Sequence, residues 1–290
     1  MNARAITVAE LDNLSEATES RPAERVSLTA PKALSLAQNL LRMRSTILPV
    51  AFGVLVLAFW EFIIWATDYP ESIMPAPSSV VGALWEHRIV LLTNIWPTAS
   101  VALGGFFIAL CGGVALAVGM TWSGYVKEAL YPNIVAFQIV PKVAWAPMFV
   151  LWMGIETESR LGFATFISIF PIIISMTTGL QNTDPSLLRL CRALTASKWQ
   201  TLCYVRFPYA LPYLFSAMKI SSTLAMIGVI VGEFITSKQG LGFVILTAAG
   251  RADAATMIAA VLVLCLIGLA FYGIVAFGTW LLDRWFGKTS

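Results

Sequence analysis

Long apolar runs separated by short polar joints dominate the chain. The runs lack the every-second-residue alternation of a half-buried strand. They cover about residues 47–67, 95–120, 130–153, 161–180, 211–235 and 257–282. At about 1.5 Å per residue, each is long enough as a helix to cross roughly 30 Å of hydrocarbon. Their continuity excludes a membrane barrel, whose strands alternate apolar and polar positions. The pattern predicts an all-α polytopic membrane protein with six transmembrane helices. Residues 1–45 read as a polar cytoplasmic tail, 46–92 as the first span with an extracytoplasmic segment, and 93–285 as the membrane core. An amphipathic turn over 34–43 would lie on the membrane surface.

Composition agrees. Of 290 residues 58% are hydrophobic and 12% charged, against about 45–50% and about 25% in soluble proteins. Soluble and disordered classes are excluded, and a net charge of +3 offers no nucleic-acid surface. No apolar segment closely follows Met1, so the first residues are not a cleaved signal peptide. Cys111, Cys191, Cys203 and Cys265 form no CxxC pair and read as reduced or buried thiols. With His87 the only histidine, neither a histidine-based triad nor a multi-histidine metal cluster can be built. No catalytic residue, metal or cofactor is expected on this chain. His87, beside Trp85 and Arg88, reads as interfacial.

Loop charge sets orientation. With the N-terminus inside, the inner segments carry Lys32, Arg42, Arg44, Lys127, Arg189, Arg192, Lys198, Arg206, Arg284 and Lys288. The outer ones carry Arg88, Arg160, Lys238 and Arg251. Positive charge gathers on the cytoplasmic side, so both termini should be cytoplasmic. Trp60, Trp65, Trp96, Trp122, Trp152 and Trp280 fall near span ends, as an aromatic belt requires. Gly105, Ala109, Gly113 and Ala117 recur every fourth residue, with Gly228 and Gly232 repeating the device, so other backbones can approach closely.

Charges within the runs need reasons, because each costs about 2.5–3.5 kcal/mol at mid-bilayer on insertion scales. Glu61 reaches the interface or pairs within the bundle. Lys219 can snorkel inward. Glu233 either pairs structurally or serves the outer mouth of a pathway. Lys142 sits between Pro141 and Pro147, which should bend or break the third span. Broken helices are tolerated where they are packed in protein or line a water-filled cavity, so Lys142 either faces a permeation path or snorkels.

The longest inner joint, about 181–210, reads helix, turn, helix. Asp184 and Pro185 suit an N-cap and first position, and Leu187, Leu188, Cys191 and Leu194 follow at helical spacing. Ser197-Lys198-Trp199-Gln200 fits a capping box. The second helix runs on to Pro208, and Pro212 starts the fifth span. Leu194, Trp199, Leu202 and Phe207 would be exposed unless they fold back on the bundle or dock a partner.

Here the chain resembles the permease subunits of bacterial ABC importers. Their loop signature is Glu-Ala-Ala, three residues, Gly, nine residues, then Ile-x-Leu-Pro. Its spacing is matched by Arg189-Leu190-Cys191, Thr195 and Val205-Arg206-Phe207-Pro208, with only the proline identical. Arg192-Ala193-Leu194-Thr195-Ala196-Ser197-Lys198-Trp199-Gln200 is similar to the family's loop text. Met74-Pro75-Ala76-Pro77-Ser78, the Lys142 segment with Leu151-Trp152-Met153-Gly154, and Gly232-Glu233-Phe234 with Gly240-Leu241-Gly242-Phe243 resemble the nitrate/sulfonate/taurine branch. The resemblance covers about 47–285. It implies a multi-pass protein of the cell inner membrane, the type I permease fold, and import of a small solute, with ATP and Mg bound by a separate ATP-binding subunit. The coupling loop, Arg189 to Trp199 with Pro208, would dock that subunit. An extracytoplasmic solute-binding protein would deliver cargo to a pathway formed with a second permease copy, in the simplest case a homodimer. Lys142 tilts the cargo toward a small anion. Replacement of the family glycine by Thr195 asks a β-branched residue to occupy a sharp turn where glycine avoids a left-handed penalty.

Gly287-Lys288-Thr289 is no phosphate-binding loop, because position 282 is Leu and no helix follows. Two rivals remain. A secondary transporter would often show repeated halves, and none is visible between the first and second three runs. A membrane enzyme would need clustered polar groups, but Glu61 and Glu233 stand far apart in sequence.

Overall fold

The computed structural model describes residues 32–236 and 238–286. Most of the polar tail and Gly287-Lys288-Thr289 lie outside these residues, as do the side chains of the amphipathic turn. Residues 1–58 and 59–290 are two compact units. In the first, the described residues belong to helix α1 (Lys32–Thr67), which passes through Pro49 and contains the apolar span Ile47–Thr67.

In the second unit the elements are α2 (Pro77–Glu86), α3 (Arg88–Trp122), α4 (Gly124–Ile139), a 3-10 turn (Lys142–Trp145), α5 (Ala146–Met153) and α6 (Thr157–Gln181). They continue with α7 (Pro185–Ala193), α8 (Lys198–Thr201), a π turn (Leu202–Arg206), α9 (Phe207–Thr236), α10 (Leu241–Gly250) and α11 (Ala254–Phe286). Among the described residues there is no strand. Five helices are long and apolar enough to span, and a sixth span is the pair α4 with Lys142–Met153, bent by 99°. The bend follows from Pro141. The residue before a proline avoids helical backbone, and Val140 is extended at ψ 136°.

The core is three helices held close by small residues. The Gly105–Ala117 stripe of α3 is buried throughout. A Cβ on Gly105 would lie 2.8 Å from Ala164 Cβ, and one on Gly113 would lie 2.8 Å from Ile172 Cγ2, both on α6. From the other side, a Cβ on Gly228 of α9 would lie 2.7 Å from Ala164 Cα. Ala164 is thus wedged between α3 and α9 at backbone contact, where lipid-facing helices lack a hydrophobic drive and rely on close packing. Gly228→Ala should therefore overpack the contact and destabilise the chain by about 2 kcal/mol. Thermal unfolding in detergent checks this, and an unchanged midpoint would contradict it.

Two expectations need correction. The fifth span does not start at Pro212. Helix α9 begins at Phe207, and Pro212 lies inside it. The π turn ahead of Pro208 accommodates one missing donor, and packing against α6 outweighs the other, as membrane helices allow. Arg160 is not an outer-loop charge. It sits in the first turns of α6, only 5% exposed, and donates to Thr157 Oγ1 at 3.0 Å. The second span is also longer than its apolar run, because polar Arg88, Thr93 and Asn94 are helical too.

Glu61 pairs within its own unit. It accepts from the backbone N–H of Ser78 at 3.1 Å and from its hydroxyl at 2.7 Å. It thereby places a carboxylate on the first turn of α2, whose own N-cap, Ala76, offers none.

Candidate functional site

The joint 181–210 folds as the capped hairpin its residues dictate. Asp184 accepts from the amide and hydroxyl of Ser186 at 2.7 and 2.6 Å, and Pro185 opens α7. Those two bonds, the hydroxyl's first, hold the Asp184 carboxyl below its ordinary range, so the cap is ionised at neutral pH. Ser197 accepts from the Gln200 amide at 3.1 Å, and Gln200 reaches back to the Ser197 amide at 2.8 Å, closing the capping box.

Between the caps lies the turn. Thr195 has φ +51°, a left-handed conformation unusual for a β-branched residue. The N–H groups of Thr195 and Ala196 donate back to the carbonyls of Arg192 and Cys191 at 3.1 and 2.9 Å. Both ends of the turn are pinned, so Thr195 carries a strain of about 1–2 kcal/mol. Thr195→Gly should release about 1 kcal/mol of it, read as slower amide exchange at positions 195 and 196. Unchanged or faster exchange would show that the turn is not strained.

The apolar residues of the hairpin divide. Leu202 is 6% exposed and joins a core cluster with Ile172, Met176 and Leu211, and Phe207 packs beside it. At the tip, Leu194 is 70% and Trp199 61% exposed, and Leu190 is exposed too. Trp199 lies 6.2 Å from Trp122, at the end of α3. Cys191 and Ala196 are half-buried, whereas Arg189, Arg192, Ala193, Lys198 and Pro208 are exposed. A rigid base rooted in the core thus presents an uncovered apolar tip on the side that loop charge assigns to the cytoplasm.

The other two singled-out residues lie in different settings. Lys142 is half-buried at the break of the bent span, its ammonium 5.3 Å from the Phe170 ring. Trp145, Phe166 and Phe137 extend this aromatic wall. Glu233 is enclosed, at 1% exposure. Its Oε1 accepts from the Thr98 hydroxyl at 2.8 Å and its Oε2 from the Gly242 N–H at 2.7 Å. Thr98 Oγ1 in turn accepts from the Leu241 N–H at 2.9 Å, and Asn94 Oδ1 accepts from the Gly240 N–H at 2.6 Å. The carboxylate clasps the start of α10 to α3 and α9. This explains the residue types around it. Gly240 has φ +106°, and a Cβ there would collide with the Glu233 carboxylate. A Cβ on Gly242 would lie 2.7 Å from Glu233 Cβ. The sequence reading missed Asn94 and Thr98, whose four-residue spacing was the only local sign of a shared polar face.

The family described as binding-protein-dependent transport system inner membrane component matches residues 109–279. A riboflavin transport system permease protein of Chloroflexus aurantiacus is 33% identical over 82% of this chain and 89% of its own length. A formylaminopyrimidine transport permease protein of Halalkalibacterium halodurans is 28% identical over 76% of this chain and 88% of its own. A taurine transport system permease protein of Escherichia coli is 28% identical over 72% and 68%. Among solved structures, an inward-facing methionine ABC transporter chain superposes with TM-score 0.54 over 66% of this chain and 96% of that one. At 19% identity it shows a shared fold.

Proposed function

From the premise that the chain belongs to the binding-protein-dependent transport system inner membrane component family, we propose that two copies form a pathway for a small anionic solute, opened by an ATP-binding subunit seated on the 181–210 hairpin. The chain itself is the inner-membrane transport subunit of an ABC importer, not an enzyme, and ATP is hydrolysed on a separate subunit. The observation that carries the docking half is the exposed tip, Leu190, Leu194 and Trp199, on a base held by two caps and a buried Leu202. A tip fixed in this way transmits a push from its partner to α6 and α9, which it joins directly. No cofactor is assigned to this chain, and an extracytoplasmic binding protein supplies the cargo.

The anionic cargo rests on Lys142. It is a cation at a proline-made break, where exposed backbone is tolerated beside a water-filled path. The relatives are named for riboflavin, formylaminopyrimidine, aliphatic sulfonates, taurine and nitrate, so the branch alone does not choose. In this conformation Glu233 contributes as a clasp of the outer segment.

The test is reconstitution of the chain in liposomes with its ATP-binding subunit and solute-binding protein. Uptake should require ATP and should not follow an imposed ion gradient when the ATP-binding subunit is omitted. Gradient-driven uptake would instead identify a secondary transporter. A partner binding protein that retained only cationic ligands would remove the Lys142 reading.

A further inference from the structure

Beside the hairpin lies a cleft of about 400 Å³, whose wall holds three cations, Arg192, Lys198 and Arg206, together with Trp122 and Leu202. Among the described residues none of the three is ion-paired. Arg192 spends only its Nε, donated to the Leu188 carbonyl at 3.3 Å, and its terminal nitrogens stay available. The cleft's two hydroxyls, Thr121 and Thr201, donate to carbonyls of their own helices at 2.9 and 3.0 Å, so they add no donor for a guest. Three unneutralised cations converging on one concavity leave a site built for a compact anion.

Its position selects the kind of anion. Thr121 and Trp122 end the spanning helix α3, and Leu202 belongs to the core of the bundle. The cleft thus opens where a span leaves the membrane, on the side that loop charge assigns to the cytoplasm. Trp122 lines it and is 50% exposed, and Gly119 and Ala115, three and seven residues before it on the same face of α3, are exposed too, leaving an uncovered strip back toward the hydrocarbon. Arg192, Ala196 and Lys198 of the docking loop line the cleft, whereas its apolar tip, Leu190, Leu194 and Trp199, does not.

We infer that the cleft holds the phosphate headgroup of an anionic phospholipid, with Arg192, Lys198 and Arg206 on the phosphate and Trp122 at the glycerol level. The lipid would brace the hairpin against α3, since Arg192, Lys198 and Arg206 come from α7, α8 and the π turn. This inference requires the family's membrane placement but not the docking of an ATP-binding subunit.

Native mass spectrometry of the purified full chain, offered phosphatidylglycerol or phosphatidylcholine, tests it. The wild-type chain should retain phosphatidylglycerol preferentially. Each cation is worth about fivefold near an anionic headgroup, so R192Q/K198Q/R206Q should lose at least about tenfold of that preference. R88Q, far along α3, should keep it. Equal retention by wild type and triple variant would overturn the proposal. So would displacement of the lipid by millimolar inorganic phosphate, which would mark a site for soluble phosphate. If the triple variant kept its lipid but lost an ATP-binding subunit, the cations would belong to the protein interface and the lipid reading would fall. Loss of lipid preference by the isolated chain supports it whether or not the subunit still binds, because Arg192 and Lys198 also belong to the docking loop, so the two readings fail separately.

Discussion

Leu194→Asp should abolish co-purification of the chain with an ATP-binding subunit while leaving the chain itself folded. Leu194 is 70% exposed at the hairpin turn, so the substitution removes little packing from the free chain. An exposed substitution of this kind ordinarily changes stability by about 0.5 kcal/mol or less. A modest extra penalty comes from a negative charge beside the C-terminus of α7, where the helix dipole already disfavours it. Buried in a partner's apolar groove, the same carboxylate loses its hydration without a compensating charge. That costs about 3 kcal/mol or more, or over a hundredfold in affinity. Retention of the ATP-binding subunit on affinity resin, beside the thermal midpoint of the free chain, separates the two effects. An intact complex with Leu194→Asp would refute the hairpin tip as the docking site. A second variant, Trp199→Ala, guards the result, because it removes apolar area without adding charge and should weaken the complex in the same direction.

The second large effect belongs to the outer clasp. Glu233→Ala strands the buried Gly242 N–H, leaves the Thr98 hydroxyl only its long bond to the Asn94 carbonyl, and removes the carboxylate on which the neighbouring buried Arg160 acts. Breaking a buried charged cluster by deleting one member costs about 3–5 kcal/mol. The loss should concentrate at the start of α10, since Gly240, Leu241 and Gly242 are the backbone groups tied down there. Faster tryptic cleavage after the flanking Lys238 and Arg251 reports it, together with a lowered unfolding midpoint. Glu233→Gln should be milder. Its carbonyl can accept from Gly242, while its amide donates to Thr98, whose hydroxyl can turn toward the Asn94 carbonyl 3.4 Å away. Wild-type cleavage rates in Glu233→Ala would show that the clasp does not hold α10.

These two sites were unequally legible in the sequence. The hairpin could be read almost completely because its determinants are local. Asp184 with Pro185, and Ser197 with Gln200, act within four residues of one another, and Thr195 stands at the position where the chain must turn left-handed. Their side chains satisfy the nearest backbone groups, so spacing alone suffices. What spacing could not decide was which apolar residues turn inward. Leu202 and Trp199 are three residues apart, yet one enters the core and the other stays exposed, because the π turn that begins at Leu202 redirects the chain toward α9. The clasp was illegible for the opposite reason. Its carboxylate bonds Thr98 across 135 positions, and no local pattern in an apolar run predicts a partner that far away.

By itself the sequence determined that the chain is helical, that it spans the membrane several times, that the third span breaks at Pro141, and that a capped helical turn precedes α9. Each of these follows from hydrophobic length, proline geometry or short-range capping. The tertiary structure alone decided that Glu233 is enclosed, that Arg160 is buried, that three cations share one cleft at the end of α3, and that Ala164 is the point where α3, α6 and α9 meet. Those outcomes depend on which helix faces are brought together, and a run that is apolar on every side leaves its own rotation unspecified until small residues and buried polar bonds from distant segments fix it.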